Sequence, residues 1–278
     1  MIELILPGLL SLLTLQPGAA GQVARSVVDS PQENRTEEGE APKDSPAATR
    51  RVMSGYEVPD EGKLLWKPLL LQNGLFLGIQ HGYRFATQEK TRNNIRGPFF
   101  RDYADSLQGF SGWHDGDEWV ANYLGHPLQG AVYGFTYLHN HTREKFIPVD
   151  LKAKDYWQSR FKSMAWMAVA STHYELGPLG EAAFGNVGLE PGTKGAVDLV
   201  ITPTLGLATL VVEDLADAKL IMPLERRIRN RYFRLVVRSL FNPSRSMANL
   251  LSFKVPWHRD TRAGVGFRSD AFPAGRRP

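Results

Sequence analysis

The chain has 278 residues, 42% of them hydrophobic, enough to bury a sizeable core as one large domain. It contains no cysteine, which excludes disulfide staples, a thiolate nucleophile, cysteine-ligated zinc and a lipidated amino-terminal cysteine. The net charge of +4 conceals an uneven spread, because residues 225–254 carry Arg226, Arg227, Arg229, Arg231, Arg234, Arg238, Arg245 and Lys254 against the single acid Glu225.

Residues 1–20 read as a signal peptide: the run MIELILPGLLSLLTL is too short to span a bilayer, and Pro17, Gly18, Ala19 and Ala20 supply a small-residue cleavage site. Glu3, and the lack of any Lys or Arg before Arg25, depart from the usual signal pattern. Residues 21–60 are rich in Glu, Ser, Pro, Ala and Arg and poor in large apolar residues, so they read as a disordered tether. Residues 61–255 are expected to form the folded domain and 256–278 a flexible tail.

Within that domain apolar periodicity predicts a first helix from about Leu64 to Thr91, then a connector from Asn93 to Asp117 punctuated by Gly97-Pro98, Gly109 and Gly112. A second helix is expected over Glu118–His141, a third over Tyr156–Leu176, a fourth over Ala196–Leu220, a fifth over Leu224–Phe241 and a short sixth after Pro243. No run alternates apolar and polar residues as a strand would. The fold class is therefore all-α, a single bundle of about five to six helices.

The second helix carries Asn122, His126, Gln129, Tyr133 and Tyr137 on one face, with Pro127, Gly130, Ala131 and Gly134 forming a small-residue face against which another helix can pack closely. Such packing would drive Asn122 and His126 inward, where an imidazole needs partners. The candidates are Glu175 on the third helix and Asp198 and Glu213 on the fourth, the latter also carrying Pro203 and Gly206. A histidine with several carboxylates can hold a hard metal, act as acid and base, or form a satisfied structural network. The spacing matches neither His-Glu-x-x-His nor the paired Glu-x-x-His of di-iron bundles, so the structural network is the expectation, with no metal and no cofactor. Asp115 and Asp117 are expected to cap the second helix rather than to bind calcium. His139 and His141, at its far end, are expected to be solvated.

No Gly-x-Ser-x-Gly elbow and no phosphate loop is present, so nucleotide chemistry has no support. The fifth helix is basic and amphipathic, and Arg227, Arg231, Arg234 and Arg238 suit an anionic membrane surface or lipid headgroups better than nucleic acid, although an ordinary solvated face fits equally well. The apolar stretch Ala196–Val212 contains Asp198 and Pro203 and falls short of the roughly twenty residues a span requires. Membrane association rather than spanning is the expectation.

The segments NYLGHPLQGA at 122–131, STHYELGPLGEAAFGN at 171–186, GAVDLVITPTLG at 195–206 and FNPSRSMANLL at 241–251 resemble an uncharacterised family of exported bacterial envelope proteins with an Asn-x-x-x-His-Pro-x-x-Gly helix. The resemblance covers most of residues 64–253 and implies Asn122, His126, Pro127, Gly130, Glu175, Asp198, Pro203 and Gly206 as motif positions. It supplies no activity. Together these readings predict an exported envelope protein in the periplasm or at the outer membrane, structural or lipid-handling, with other envelope proteins as possible partners. The alternative is an envelope hydrolase or lipid-modifying enzyme built on His126 and the carboxylates, with Asn122 and Tyr133 among its binding residues.

Overall fold

The computed structural model describes residues 52–53, 56–57, 61–94, 97–110, 112–185, 188–228 and 230–262. The signal peptide and nearly all of the tether lie outside these residues. The described part of the tether is a two-stranded antiparallel ladder, β1 (Val52–Met53) with β2 (Tyr56–Glu57). Everything else regular is helical.

Helix α1 (Trp66–Thr87) is followed by the short α2 (Glu89–Asn94) and by α3 (Phe99–Gln108). Sequence periodicity missed α3 and assigned its residues to a connector. A π-helical turn, Ala121–Gly125, leads directly into α4 (His126–His139), with Pro127 just past it, where the proline cannot donate to the turn before. Next come a 3-10 turn (Glu144–Phe146), α5 (Lys154–Leu176) and the four-residue α6 (Glu181–Phe184). Helix α7 (Val197–Ala216) runs through a second π turn, Asp217–Ile221, into α8 (Met222–Arg227). The expected fifth helix is broken, because Asn230 caps a new helix, α9 (Arg231–Leu240), by accepting from the amides of Tyr232 at 2.9 Å and Phe233 at 3.2 Å. Helix α10 (Pro243–Leu251) closes the bundle.

Helix α4 is the axis: every residue from His126 to Leu138 except Leu128 is buried, and α5, α7, α10 and α1 pack around it. Its glycines set the crossings. A Cβ on Gly130 would meet the Thr202 carbonyl oxygen at 2.0 Å, and one on Gly206 would meet the Gly130 Cα at 3.0 Å, so α4 and α7 touch backbone to backbone. Gly134 opens instead onto side chains, Met167 of α5 and Leu210 of α7. With His126 beside Thr202 and Gly134 beside Leu210, α4 and α7 run parallel.

Helix α1 has an unusual partition. Its inner face is Leu69, Gln72, Phe76 and Gln80, and both glutamines are used, Asn140 donating to Gln72 at 2.6 Å and Tyr133 donating to Gln80 at 3.1 Å. Its outer face is Trp66, Leu70, Leu71, Leu75 and Ile79, with Leu71 64% exposed.

Candidate functional site

At the start of α4 the π turn closes with the His126 amide donating to the Ala121 carbonyl five residues back. The wider turn places both Asn122 and His126 in the interior, 4% and 7% exposed. The start of α7 is tied to the segment before Asp115: Ala196 N donates to Gly112 O at 2.8 Å and Val197 N to Trp113 O at 3.0 Å. Gly116, at φ 86°, lets the chain turn there. This brings Asp115 and Asp198 together, and Glu175 arrives from the last turn of the antiparallel α5.

Ligand-capable atoms of His126, Glu175 and Asp198 lie within 4.8 Å of one another. His126 Nε2 stands 3.3 Å from Asp198 Oδ1, and Nδ1 is 3.3 Å from Thr202 Oγ1. Asp115 Oδ1 accepts from Asn122 Nδ2 at 2.9 Å and from the Asp117 amide at 3.0 Å. It therefore braces the π turn through a side chain, not through the first-turn amides as the capping expectation had it. Asn122 Oδ1 is buried without a hydrogen-bond partner among the described residues, and the Asp115 and Asp198 carboxyls meet each other, which requires a proton between them. The nearby cations are engaged elsewhere, Arg84 with Glu181 and Lys194 with the Ser106 carbonyl.

The electrostatics follow from burial and crowding. Burial, with further carboxylates close by, pushes the Glu175 and Asp198 carboxyls well above the usual carboxylate range. Burial also opposes ionisation of Asp115, but hydrogen bonds from Asp198, Asn122 and the Asp117 amide outweigh it and hold that carboxyl below its ordinary value. Burial lowers His126 to about 4, so its imidazole is neutral at pH 7.

Glu213 does not join this group. Fifteen residues separate it from Asp198 on α7, and at about 1.5 Å per residue a shared face still leaves them roughly 22 Å apart. Its carboxylate caps α10, accepting from the Ser244 amide at 2.9 Å and the Arg245 amide at 3.1 Å. Tyr133 is 2% exposed and committed to Gln80, which removes it from any accessible binding role in this conformation. Pro127, Pro203 and Gly206 are all buried at or near the α4–α7 crossing.

A second polar region lies at the other end of α4. A cavity of about 580 Å³ is lined by His139, Arg160, Arg234, Arg238, Arg245, Arg259 and Arg262 among others, with Asp214, Asp217 and Glu225 as counter-charges. Arg160 Nε donates to Asp214 at 2.8 Å, and Arg245 both pairs with Asp214 and sits 4.5 Å over the Phe135 ring. Asp217 accepts from Arg259 at 2.9 Å and from Arg262 at 2.7 Å. Burial alone would raise Asp217, but Arg259, Arg245 and Arg262 hold it well below the carboxylate range. Nε of Arg234, Arg245 and Arg262 are donors buried without a partner among the described residues, and Nδ1 of His139 and, on the acceptor side, Oε2 of Glu144 are likewise without one.

This region corrects several expectations. Arg238 is 1% exposed and grips Glu225 through two bonds, one of them 3.0 Å long, so it belongs to the interior and not to a membrane-facing surface. Arg227 and Arg231 are exposed and Arg234 lines the cavity. His141 is buried and within 3.5 Å of Glu144, and His139 turns Nδ1 inward, so neither is simply solvated. The expected tail contributes Arg259, Asp260 and Arg262, and the folded domain thus reaches at least residue 262. Its alternating charges, HRDTR at 258–262, were the available signal. No family model, no curated protein and no solved structure matches the chain.

Proposed function

We propose that this chain is an exported, membrane-associated envelope protein that handles lipid or organises the envelope. The supporting observation is the partition of α1, where glutamines face the interior and tryptophan, leucine and isoleucine face outward. The same partition recurs across the bundle. Val169 and Phe161 on α5 and Val212 on α7 are more than half exposed, while Asp198, Glu213, Asp214 and Arg160 on those helices are buried. In water, covering a large apolar side chain yields roughly 1.5–3 kcal/mol, so several half-exposed ones on neighbouring helices favour an apolar surrounding. The helical stretch Val197–Arg227 is also long and apolar enough to cross a membrane, although a single such helix carries little weight by itself. The donor-rich cavity suits the phosphate of an anionic lipid headgroup, which would supply the acceptors that Arg234, Arg245 and Arg262 lack.

Fractionation of the native protein tests the location: recovery with the envelope membranes is expected, and recovery wholly in the cytosol with Met1 intact would refute it. Flotation of the full chain with vesicles tests the headgroup. Anionic vesicles should bind more strongly than neutral ones, and Arg234→Ala with Arg262→Ala should remove that difference. Equal binding to both by the wild type rejects the cavity's part in the reading.

A second reading, a lipid-modifying hydrolase, is favoured by the convergence of His126, Glu175 and Asp198. It requires access to His126. Modification of His126 by diethyl pyrocarbonate in the folded chain would support an enzyme, and full protection would reject one.

A further inference from the structure

The polar cluster at the start of α4 has a chemical imbalance that its own residues do not resolve. Asp115, Glu175 and Asp198 bring three carboxyl groups to one buried place, from the loop before the π turn, the end of α5 and the start of α7. Among the described residues Asn122 Oδ1 there receives no hydrogen bond, and Asp198 has only the Asp115 carboxyl and the His126 ring to face. Asp115 is 8% exposed and its carboxyl faces that of Asp198, so a third buried carboxyl is aimed into the His126, Glu175 and Asp198 group. An unsatisfied buried acceptor costs on the order of 1–3 kcal/mol, and Asn122 Oδ1 remains one even when a proton bridges Asp115 and Asp198.

We propose that His126, Glu175 and Asp198, with Asp115 beside them, bind one divalent first-row transition cation. A single ion supplies positive charge and several acceptor-directed bonds from one point. The donor set limits the choice of ion: one imidazole with carboxylate oxygens and no thiolate fits Zn²⁺ or Mn²⁺, whereas an all-oxygen shell would fit Mg²⁺ or Ca²⁺. The spacing also fits. Ligands around a tetrahedral ion at about 2.1 Å stand roughly 3.4 Å apart, so a group within 4.8 Å closes by side-chain rotations of about an ångström.

The surroundings prepare the ligands. With Nδ1–H donated to Thr202 Oγ1, His126 Nε2 carries the lone pair and faces Asp198 Oδ1. A hydrogen bond on the far ring nitrogen is the support that orients a metal-binding imidazole. A cation placed among Glu175, Asp198 and Asp115 offsets the crowding of three buried carboxyl groups. This inference is independent of where the protein resides.

The test uses the full chain, stripped with a chelator and dialysed, and probes it with Zn²⁺, Mn²⁺, Mg²⁺ and Ca²⁺ separately. Equilibrium dialysis should give one Zn²⁺ or Mn²⁺ per chain, with a rise in Tm of roughly 5 °C or more at a hundredfold excess over Kd and much weaker effects from Mg²⁺ and Ca²⁺. Asp198→Asn and Glu175→Gln should lose at least tenfold in affinity while the metal-free proteins melt at or above the wild-type temperature. His126→Gln serves in their place if either fails to fold. Absence of stoichiometric binding by the wild type, or retention of wild-type affinity by the folded variants, overturns the proposal.

Discussion

Replacing Gly130 with alanine adds one methyl group where α4 and α7 touch. The Cβ would lie 2.0 Å from the Thr202 carbonyl oxygen, 3.0 Å from its carbon and 3.1 Å from the Gly206 Cα, whereas ordinary contact begins at 3.4 Å. All three are backbone atoms of a helix, so no rotamer relieves the clash and the helices must part by more than an ångström. Alanine gains up to about 1 kcal/mol of helix propensity over glycine, but overpacking of this kind costs about 1–3 kcal/mol or more. The second effect prevails because separation also loosens Ala131 and moves His126 away from Asp198. The expected net loss is about 1–2 kcal/mol, or a fall in Tm of roughly 2–8 °C at about 2–4 °C per kcal/mol. Far-UV circular dichroism melts of the full chain, in one detergent throughout, measure it. Gly78→Ala on α1, whose Cβ would meet nothing within 4 Å, is the internal control and should melt at or above the wild type. Gly130→Leu should lose more stability than His126→Ala. A Gly130→Ala protein that melts with or above the wild type refutes the backbone contact.

Glu213→Gln should cost about 1–3 kcal/mol, because one of the two α10 amides that its oxygens accept would then face an NH₂ group; an unchanged urea midpoint would show that the cap is dispensable. Arg238→Ala should cost about 3–5 kcal/mol by stranding Glu225, 7% exposed at its side chain, whereas Arg227→Ala, at the surface, should stay within about 0.5 kcal/mol. Equal melting of these two variants would place Arg238 outside the core. Burial lowers His139 from the ordinary 6.5 to about 3. The unfolded chain therefore binds a proton that the folded one refuses, so this contribution is complete above pH 6.5 and falls away below it by up to about 1.4 kcal/mol per pH unit. Other buried histidines add to the slope, and the measurement is thus a difference: His139→Gln should show a shallower loss of urea stability than wild type between pH 6.5 and 5, and parallel curves would contradict the assignment.

The helical class and the α4–α7 contact were legible because both rest on local spacing: apolar residues every three or four positions, and Gly130 four residues after His126. Periodicity on a single helix also led to Glu213, and there it misled. A helical face records direction around the axis but not distance along it, so Asp198 and Glu213 share a side of α7 yet serve opposite ends of the bundle. The break between α8 and α9 carried a local signal, Asn230 before Arg231, that was masked by the arginine pattern running through it. The burial of Arg238 had no local signal at all, because its partner Glu225 and its neighbour Arg259 are brought to it by chain segments that packing alone aligns. The two π turns add a residue to a helical turn without any change in composition, and a reading based on 3.6-residue periodicity passes over them.

The polar groups inside the bundle and the large apolar side chains outside it are related once the forces on a bundle in lipid are compared with those in water. In water, burying leucine drives helices together; against hydrocarbon it gains almost nothing, and association falls to close packing and interhelical hydrogen bonds. The contacts around α4 are of both kinds: an apolar cluster with Leu69, Phe76, Met167, Leu210 and Leu251, and beside it Gly130 against Gly206 and Thr202, Tyr133 to Gln80, and Asn140 to Gln72. Arg160 to Asp214 adds a charged pair between α5 and α7. Such polar contacts are also what can hold carboxylates and an imidazole at one end of α4 and arginines at the other without the bundle coming apart. The two charged clusters thus sit at opposite ends of one parallel helix pair, roughly 20 Å apart over the length of α4, with the close glycine contact between them. Loosening that contact at Gly130 disturbs the histidine cluster directly, since Asp198 and Thr202 ride on the helix that must move, while the arginine cavity is additionally held by α9, α10 and the segment through Arg262.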